Sequence, residues 1–116
     1  RAPCAAKVIS TTYLPGKFRN AMNPESARVN ESNTLVMEST ERPGVVLSVK
    51  QIAGVLARRI VSTAYAGTVL ERGERFGMIK FGSRTDLSVP VEALGEVKVS
   101  TGEKVYAGKT VIGVLR

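Results

Sequence analysis

The stretch GTVLERGERF, residues 67–76, recurs in altered form as GEVKVSTGEKV, residues 95–105. The first and second glycines are six positions apart in one copy and seven in the other. Glycine suits these places because tight turns need a positive φ and sharp sheet corners need close backbone approach. Each copy is therefore predicted to form a strand, a Gly-Glu turn and a second strand.

Two such hairpin units placed back to back resemble the duplicated half-barrels of biotinyl and lipoyl carrier domains. Any small β-barrel with similar turns would show the same pattern, so both interpretations stay open. The hairpin joining the two units would run through KFGSRTD, residues 80–86. A carrier domain presents a lysine at this tip, whereas this chain has Gly82, Ser83 and Arg84 there, and Lys80 lies back on the strand.

The rest of the chain is rich in β-branched residues that alternate with polar ones, a pattern typical of strands. It predicts strands at residues 7–13, 33–39 and 45–52. At residues 55–64 a helix is the alternative, but the β-branched residues favour a strand, with a bulge at Gly54 in front of it. A turn at residues 42–44 would join the second and third strands, and residues 17–32 are predicted to form a long polar loop. The fold class is therefore all-β, a small barrel or sandwich that occupies residues 1–116 as one domain.

Composition excludes several classes of function. The 116 residues include 17 Lys and Arg against 10 Asp and Glu, which gives a net charge of +7, and they include no histidine and one cysteine, Cys4. Zinc-finger sites, an internal disulfide framework and an imidazole base are therefore excluded for this chain. The positive charge favours anionic partners such as phospholipid headgroups or nucleic acid. With three Phe, three Tyr and no Trp in no stacking pattern, nucleic acid is the weaker of the two.

Four further stretches carry a more specific resemblance: YLPGKF at 13–18, NESN at 30–33, QIAGVLARRIV at 51–61 and RGERFGMIKFGSR at 72–84. In this order they resemble the phosphatidylserine decarboxylase family, especially its short form. The resemblance implies a pyruvoyl enzyme that cuts its own backbone between Gly82 and Ser83. It would leave a β-chain of residues 1–82 and an α-chain of residues 83–116.

The resemblance also implies the chemistry at this bond. The Ser83 hydroxyl attacks the Gly82 carbonyl, and elimination and hydrolysis then convert Ser83 into a pyruvoyl group. That group forms a Schiff base with the substrate amine and accepts the electrons released when CO₂ leaves, so neither pyridoxal phosphate nor a metal is expected. A Gly-Ser pair alone would more often indicate a simple β-turn.

Further substrate-binding residues are expected near this bond. Arg84 could steer the anionic headgroup, and Phe81 could form a wall of the pyruvoyl pocket, although a place in the core is the alternative for Phe81. Arg58 and Arg59 would point to opposite faces of a strand. One is expected to face the substrate phosphate or carboxylate while the other is solvated, and two solvated arginines are the alternative.

The chain departs from the family pattern because the family's upstream His and Asp residues have no counterpart here, so it resembles the C-terminal part of the enzyme. Asp86 is the nearest carboxylate in sequence, but with a reference pKa of about 3.9 it is a poor base at neutral pH. We therefore expect this chain to be inactive alone. The implied function is decarboxylation of phosphatidylserine, or of a related serine phospholipid, to the ethanolamine form. The reaction is expected in a homo-oligomer on the cytoplasmic face of the cell membrane.

Two alternatives come from other classes. One is a non-catalytic carrier-type β-domain that binds a protein partner or anionic lipid. The other is a basic nucleic-acid-binding barrel, which predicts binding with a steep salt dependence. The loop at residues 17–32 is a candidate for bilayer contact through Phe18 and Met22, with a simply solvated loop as the alternative. Asn30 and Asn33, which close this loop, are predicted to form turns.

Overall fold

The computed structural model describes residues 1–55, 59–80 and 82–116, which form mainly β-structure. The strands are β1 (Ala6–Leu14), β2 (Ser32–Ser39), β3 (Val46–Ile52), β4 (Ile60–Ser62), β5 (Val69–Leu70), β6 (Gly77–Ile79), β7 (Arg84–Ser88), β8 (Leu94–Val97) and β9 (Gly113–Leu115). Helical structure in these ranges is one short turn, α1 (Ser26–Val29), and a 3-10 turn at Val91–Ala93. Among the described residues, no helix is long and apolar enough to cross a membrane. The all-β class is confirmed.

The main sheet has five antiparallel strands in the order β5-β1-β2-β3-β7. Its three long strands, β1, β2 and β3, confirm the strands predicted at 7–13, 33–39 and 45–52. The predicted turn between β2 and β3 is also present, with Gly44 at a φ of +89°. Because β7 pairs with β3 from Ile52↔Arg84 to Ser48↔Ser88, the bond between Gly82 and Ser83 lies just before an anchored strand.

The core lies on the face of the sheet where alternate residues of β2 and β3 are apolar. Leu35 and Met37 on β2 and Leu47 and Val49 on β3 are almost fully buried. Complete burial of such a side chain stabilises the fold by about 1.5–3 kcal/mol. The same cluster also contains Ala2, Cys4, Ala6, Val8, Ala64, Leu70 and Phe76. Toward the end of β3 this alternation continues with the buried Gln51, which lies opposite the buried Asn33 on β2, so this end of the core face is polar.

The Gly-Glu turns of the internal repeat share one hydrogen-bond pattern. In the first copy the Glu74 amide donates to the Glu71 carbonyl at 3.1 Å, and the Glu71 amide donates to the Glu74 carboxylate at 3.0 Å. In the second copy Glu103 and Ser100 make the same two bonds, at 3.0 and 3.2 Å. The glycine before each glutamate has a positive φ, +76° and +88°. The repeated turns are therefore confirmed.

The strand pairing predicted around those turns is wrong. β5 pairs with β1 and β6 with β4, so the two strands of the first copy do not pair with each other as a hairpin. Phe76, which follows the first turn, is buried in the core, and its carbonyl accepts a hydrogen bond from the Thr63 amide. This draws the chain away from β5. In the second copy β8 pairs with β9, and Gly113 of β9 lies close to the Glu96 carbonyl.

The hairpin predicted at residues 80–86 is corrected in the same way. Gly82 does form a turn, but the strands on either side of it join different sheets, β6 with β4 and β7 with β3. The Gly-Ser bond therefore lies on a crossing between two sheets instead of at a hairpin tip. The strand predicted at 55–64 is shorter, since β4 spans Ile60–Ser62, and residues 56–58 lie outside the described residues.

The predicted loop at 17–32 has more structure than its composition suggests. It contains α1 and a parallel bridge between Lys17 and Asn30, and β2 begins at Ser32. Met22 is 83% exposed at its tip, whereas Ser26 is buried and donates from its hydroxyl to the Ala21 carbonyl at 2.9 Å. The segment is therefore an ordered excursion from the sheet.

The single thiol lies in the core, where Cys4 is 7% exposed. Burial raises the pKa of the Cys4 thiol, although a hydrogen bond with Ser39 acts in the opposite direction. Because the thiolate is the reactive form, we expect the folded chain to react with iodoacetamide at pH 8 much more slowly than the chain in urea. Mass spectrometry of timed samples measures both rates. Equal rates would contradict the burial of this thiol.

Candidate active site

The candidate site is built around the turn at residues 80–83. Gly82 has a φ of +87°, and the Ser83 amide donates to the Lys80 carbonyl at 3.3 Å. A positive φ is readily adopted by glycine and rarely by other residues, which explains Gly82. The Ser83 hydroxyl donates to the same carbonyl at 2.7 Å. Since the proton of this hydroxyl points to Lys80, lone pairs of the oxygen remain available as a nucleophile.

The Gly82 carbonyl rests against Gly54, which follows the end of β3. A Cβ added to Gly54 would lie 2.0 Å from the Gly82 oxygen and 2.8 Å from the Gly82 carbonyl carbon. Gly54 is buried and its φ is outside the left-handed region, so space and not backbone conformation requires glycine here. The bulge predicted at Gly54 is thus replaced by a close contact with the candidate cleavage bond.

A buried amide pair ties the neighbouring strands together. Gln51 on β3 and Asn33 on β2 lie directly opposite each other, and the Asn33 amide donates to the Gln51 side-chain oxygen at 3.0 Å. The Gln51 amide nitrogen donates to the Val61 carbonyl on β4 at 3.2 Å. Gln51 therefore connects the main sheet to the β4-β6 sheet, and these two sheets carry the strands on either side of the turn.

A second asparagine secures the segment before Gly54. The Asn30 amide donates to the carbonyls of Arg19 and Ala53, both at 2.7 Å, and its oxygen accepts from the Arg19 amide at 3.0 Å. The Ala53 amide donates to the Glu31 carbonyl at 2.9 Å. Both backbone groups of Ala53 are therefore held. Asn30 and Asn33, predicted to form turns, instead act as crosslinks.

The predicted substrate-binding arginines are placed differently from one another. Arg84 begins β7 and donates through two nitrogens to the Asp86 carboxylate, at 2.7 and 3.1 Å. Alternate residues share one face of a strand, which brings these two side chains together. Arg59 is exposed and precedes β4. Arg58 and Phe81 lie outside the described residues, so their predicted roles stay predictions.

Two surface grooves in the part of the chain that the structure describes lie away from this turn. A groove of about 580 Å³ is lined by residues of β1 and β2 together with Pro43 and Gly67. A smaller one of about 340 Å³ lies between β2, β3 and the end of β7. Neither lining includes Ser83, so we assign the site from the chemistry of the turn and not from the shape of the surface.

Replacing Gln51 with leucine is expected to lower the free energy of unfolding by about 1–3 kcal/mol, because it leaves the Val61 carbonyl and the Asn33 amide without these partners. Urea unfolding measures the change. The double variant Gln51→Leu with Asn33→Leu should cost less than the sum of the two single changes. Strict additivity would contradict a direct interaction between the two side chains.

Taken together, the fold and the site define an all-β protein that carries a candidate reactive Gly-Ser bond on a turn between two sheets. Comparison with known proteins gives the particular family. The sequence model of the phosphatidylserine decarboxylase family matches residues 1–113, so the chain belongs to this family. This confirms the family resemblance of the four sequence stretches.

The curated relatives agree with this assignment. The chain is 48% identical over 116 residues to the phosphatidylserine decarboxylase proenzyme of Magnetococcus marinus, covering all of this chain and 51% of the relative. Identity to the proenzyme of Rhodopirellula baltica is 46% over 111 residues, or 96% of this chain and 46% of the relative. For the proenzyme of Geotalea uraniireducens it is 43% over 115 residues, or 99% and 52%. The chain thus spans about half the length of these relatives. No solved structure matches it.

Sequence reasoning missed Gly54 as a site residue, along with the crosslinks made by Gln51 and Asn30. The available sign was a glycine inside the QIAG stretch, where a strand pattern would favour a larger residue. What the sequence could not show is which backbone group approaches that glycine.

Proposed function

We propose that this chain is part of a proenzyme that cleaves its own backbone between Gly82 and Ser83 and then decarboxylates phosphatidylserine to phosphatidylethanolamine. The observation that carries the proposal is the turn itself, where the Ser83 hydroxyl lies beside a bond whose carbonyl rests on Gly54. Cleavage would give a β-chain of residues 1–82 and an α-chain of residues 83–116. The β3-β7 pairing would hold the two together.

Self-cleavage follows from an ordinary acyl shift. The Ser83 oxygen bonds to the Gly82 carbonyl carbon while the Gly82–Ser83 C–N bond breaks, which leaves an ester at Gly82 and a free amine on Ser83. Elimination then breaks the bond between Cβ and the ester oxygen and releases residues 1–82 with a terminal carboxylate. Water replaces the nitrogen of the remaining dehydroalanine, and ammonia leaves. The chain contains no histidine, so the base is not an imidazole of these residues.

The residues present fit the pyruvoyl group that would result. Ser83 is half-buried and directly precedes Arg84, the residue that pairs with Ile52 at the start of the β7 ladder, so the new terminus would be held at the sheet. Such a group supplies a carbonyl that bonds the substrate amine and accepts electrons as CO₂ leaves. Gly54 lies against the Gly82 carbonyl, and the Asn30 side chain holds the carbonyl of the neighbouring Ala53.

Binding of the substrate headgroup is proposed for Arg84, which begins the strand after the turn. The planar guanidinium of Arg84 matches phosphate or carboxylate geometry, as its two bonds to Asp86 illustrate. A substrate anion would compete with Asp86 for it. Arg59, Arg58 and Phe81 are proposed as further substrate contacts.

The setting of the reaction is proposed to be the cytoplasmic face of the cell membrane, with the chain in a homo-oligomer. Exposed Met22 has Lys17, Arg19 and Arg28 nearby in the same segment, and each basic residue near an anionic membrane contributes about 1 kcal/mol. This supports membrane contact through residues 17–32.

The decisive experiment is the intact mass of the chain, expressed with its natural flanking sequence and analysed under denaturing conditions. We expect two pieces divided between Gly82 and Ser83. The piece that begins at position 83 should be lighter, by the mass of one ammonia, than simple hydrolysis would leave it. A single uncleaved piece would overturn the proposal and favour a carrier-type domain that never cuts itself.

A further inference from the structure

The contact between Gly54 and Gly82 is closer than any side chain would allow. A Cβ at Gly54 would be 2.0 Å from the Gly82 oxygen, whereas real Cβ atoms essentially never come within 3.0 Å of another atom outside their own chain neighbourhood. The next atoms along this peptide, the Gly82 carbon and the Ser83 nitrogen, would be at 2.8 and 3.5 Å. A hydrogen of Gly54 therefore faces the oxygen of the bond that is proposed to break.

Neither side of this contact is free to move away. The residue before Gly54, Ala53, is held through its amide by the Glu31 carbonyl and through its carbonyl by the Asn30 side chain. On the other side, Ser83 is bonded twice to the Lys80 carbonyl, and the next residue is paired with Ile52. A methyl group added at Gly54 would therefore force the Gly82–Ser83 peptide out of its position, because the surrounding hydrogen bonds leave no room for a small adjustment.

We propose that Gly54 is a positioning residue for self-cleavage, which seats the Gly82 carbonyl so that its carbon stays within reach of the Ser83 hydroxyl. This inference rests on the proposed function, since it concerns the same bond. The contact with Gly54 restricts rotation of the Gly82–Ser83 peptide, and the buried Gly54 Cα covers one side of the Gly82 carbonyl. Holding reactants in attack geometry accelerates a reaction, and a misplacement of about 1 Å can cost about 100-fold in rate.

The test is the Gly54→Ala variant of the chain expressed with its natural flanking sequence. We expect its self-cleavage, followed by intact mass over time, to be slower than wild type by about 100-fold. The matched control is Gly113→Ala, which places a Cβ 2.7 Å from the Glu96 carbonyl oxygen in the β8-β9 pair and does not touch the Gly-Ser bond. Its cleavage rate should equal that of wild type. Equal slowing in both variants would mean general destabilisation and would overturn the inference.

Hydroxylamine separates the acyl shift from later steps, because it cleaves esters and leaves ordinary peptide bonds intact. If Gly54 positions the carbonyl for the shift, Gly54→Ala should form little ester, and hydroxylamine should release little product at Gly82. Release at the wild-type rate would show that the ester forms normally and would overturn the inference. If wild type itself stays uncleaved, the proposed function fails as well, whereas normal cleavage of both chains removes the inference alone.

A measurement without any change at position 54 covers the case in which Gly54→Ala does not fold. The Ser83→Ala chain should remain uncleaved. In it we expect a nuclear Overhauser effect between a Gly54 α-proton and the amide proton at position 83. The reason is that a Cβ built on Gly54, in the direction of one α-proton, would lie 3.5 Å from the Ser83 nitrogen. Absence of this contact in a folded chain would overturn the inference.

Discussion

In the chain expressed with its natural flanking sequence, replacing Ser83 with alanine is expected to abolish both self-cleavage and decarboxylation. The change removes the oxygen that would attack the Gly82 carbonyl, together with its 2.7 Å hydrogen bond to the Lys80 carbonyl. No other atom of residue 83 can form the ester, so the pyruvoyl group cannot arise. Intact mass should show one uncleaved chain, and release of labelled CO₂ from phosphatidylserine should fall to the level of the blank.

The matched control for that change is Ser88→Ala at the other end of β7. Ser88 is exposed and pairs with Ser48, far along the strand from the turn. Its loss removes a serine hydroxyl from the same strand and should leave cleavage and CO₂ release unchanged. Two normal pieces from Ser83→Ala would show that the Gly82–Ser83 bond is not the one cut.

Much of the fold could be predicted because the long strands show a clear alternation of apolar and polar residues. In β2 and β3 alternate residues such as Leu35, Met37, Leu47 and Val49 enter one core, and a shift of one residue would expose all of them. The turns could also be predicted from their glycines, because a positive φ is required by the local backbone and not by distant contacts. Local chemistry thus fixed β1 to β3 and the turns at Gly44, Gly73 and Gly102.

The short strands could not be assigned to partners in the same way. β5 has two residues and β4 and β6 have three each, too few for alternation to specify a neighbour. Their pairing depends on distant contacts, such as burial of Phe76 and the bond from Gln51 to the Val61 carbonyl. The predicted hairpin units failed here because the repeat encodes the turns and not the partners of the strands.

At the site, the family resemblance supplied Gly82 and Ser83, and the structure supplied what surrounds them. The contact with Gly54 joins residues that are 28 positions apart in sequence, and it becomes visible only when β7 pairs with β3. The Arg84–Asp86 ion pair could have been foreseen, since residues two apart on a strand share a face. Its presence means that Arg84 is not an uncommitted cation for the substrate.

In the chain expressed with its natural flanking sequence, replacing Gly82 with alanine is expected to slow self-cleavage by about 5- to 30-fold. Space is not the reason, because no atom of the described residues outside the adjoining positions lies within 4 Å of a Cβ added at Gly82. The cause is conformational. Gly82 has a φ of +87°, and the left-handed conformation raises the free energy of a residue with a Cβ by about 1–2 kcal/mol. The turn that directs the carbonyl to Gly54 would become a minor conformation, and the rate would fall with its population.

Gly44→Ala is the matched control for this change. Gly44 has almost the same φ, +89°, and equally open space around its Cβ position, but it lies in the β2-β3 turn. Both variants should lose about 1–2 kcal/mol of unfolding free energy in urea, and only Gly82→Ala should cleave slowly. If Gly82→Ala cleaves as fast as Gly44→Ala, the left-handed turn serves the fold and not the reaction. If only Gly82→Ala is slow, the conformation of the turn sets the rate, because the two changes are alike in strain and differ in place.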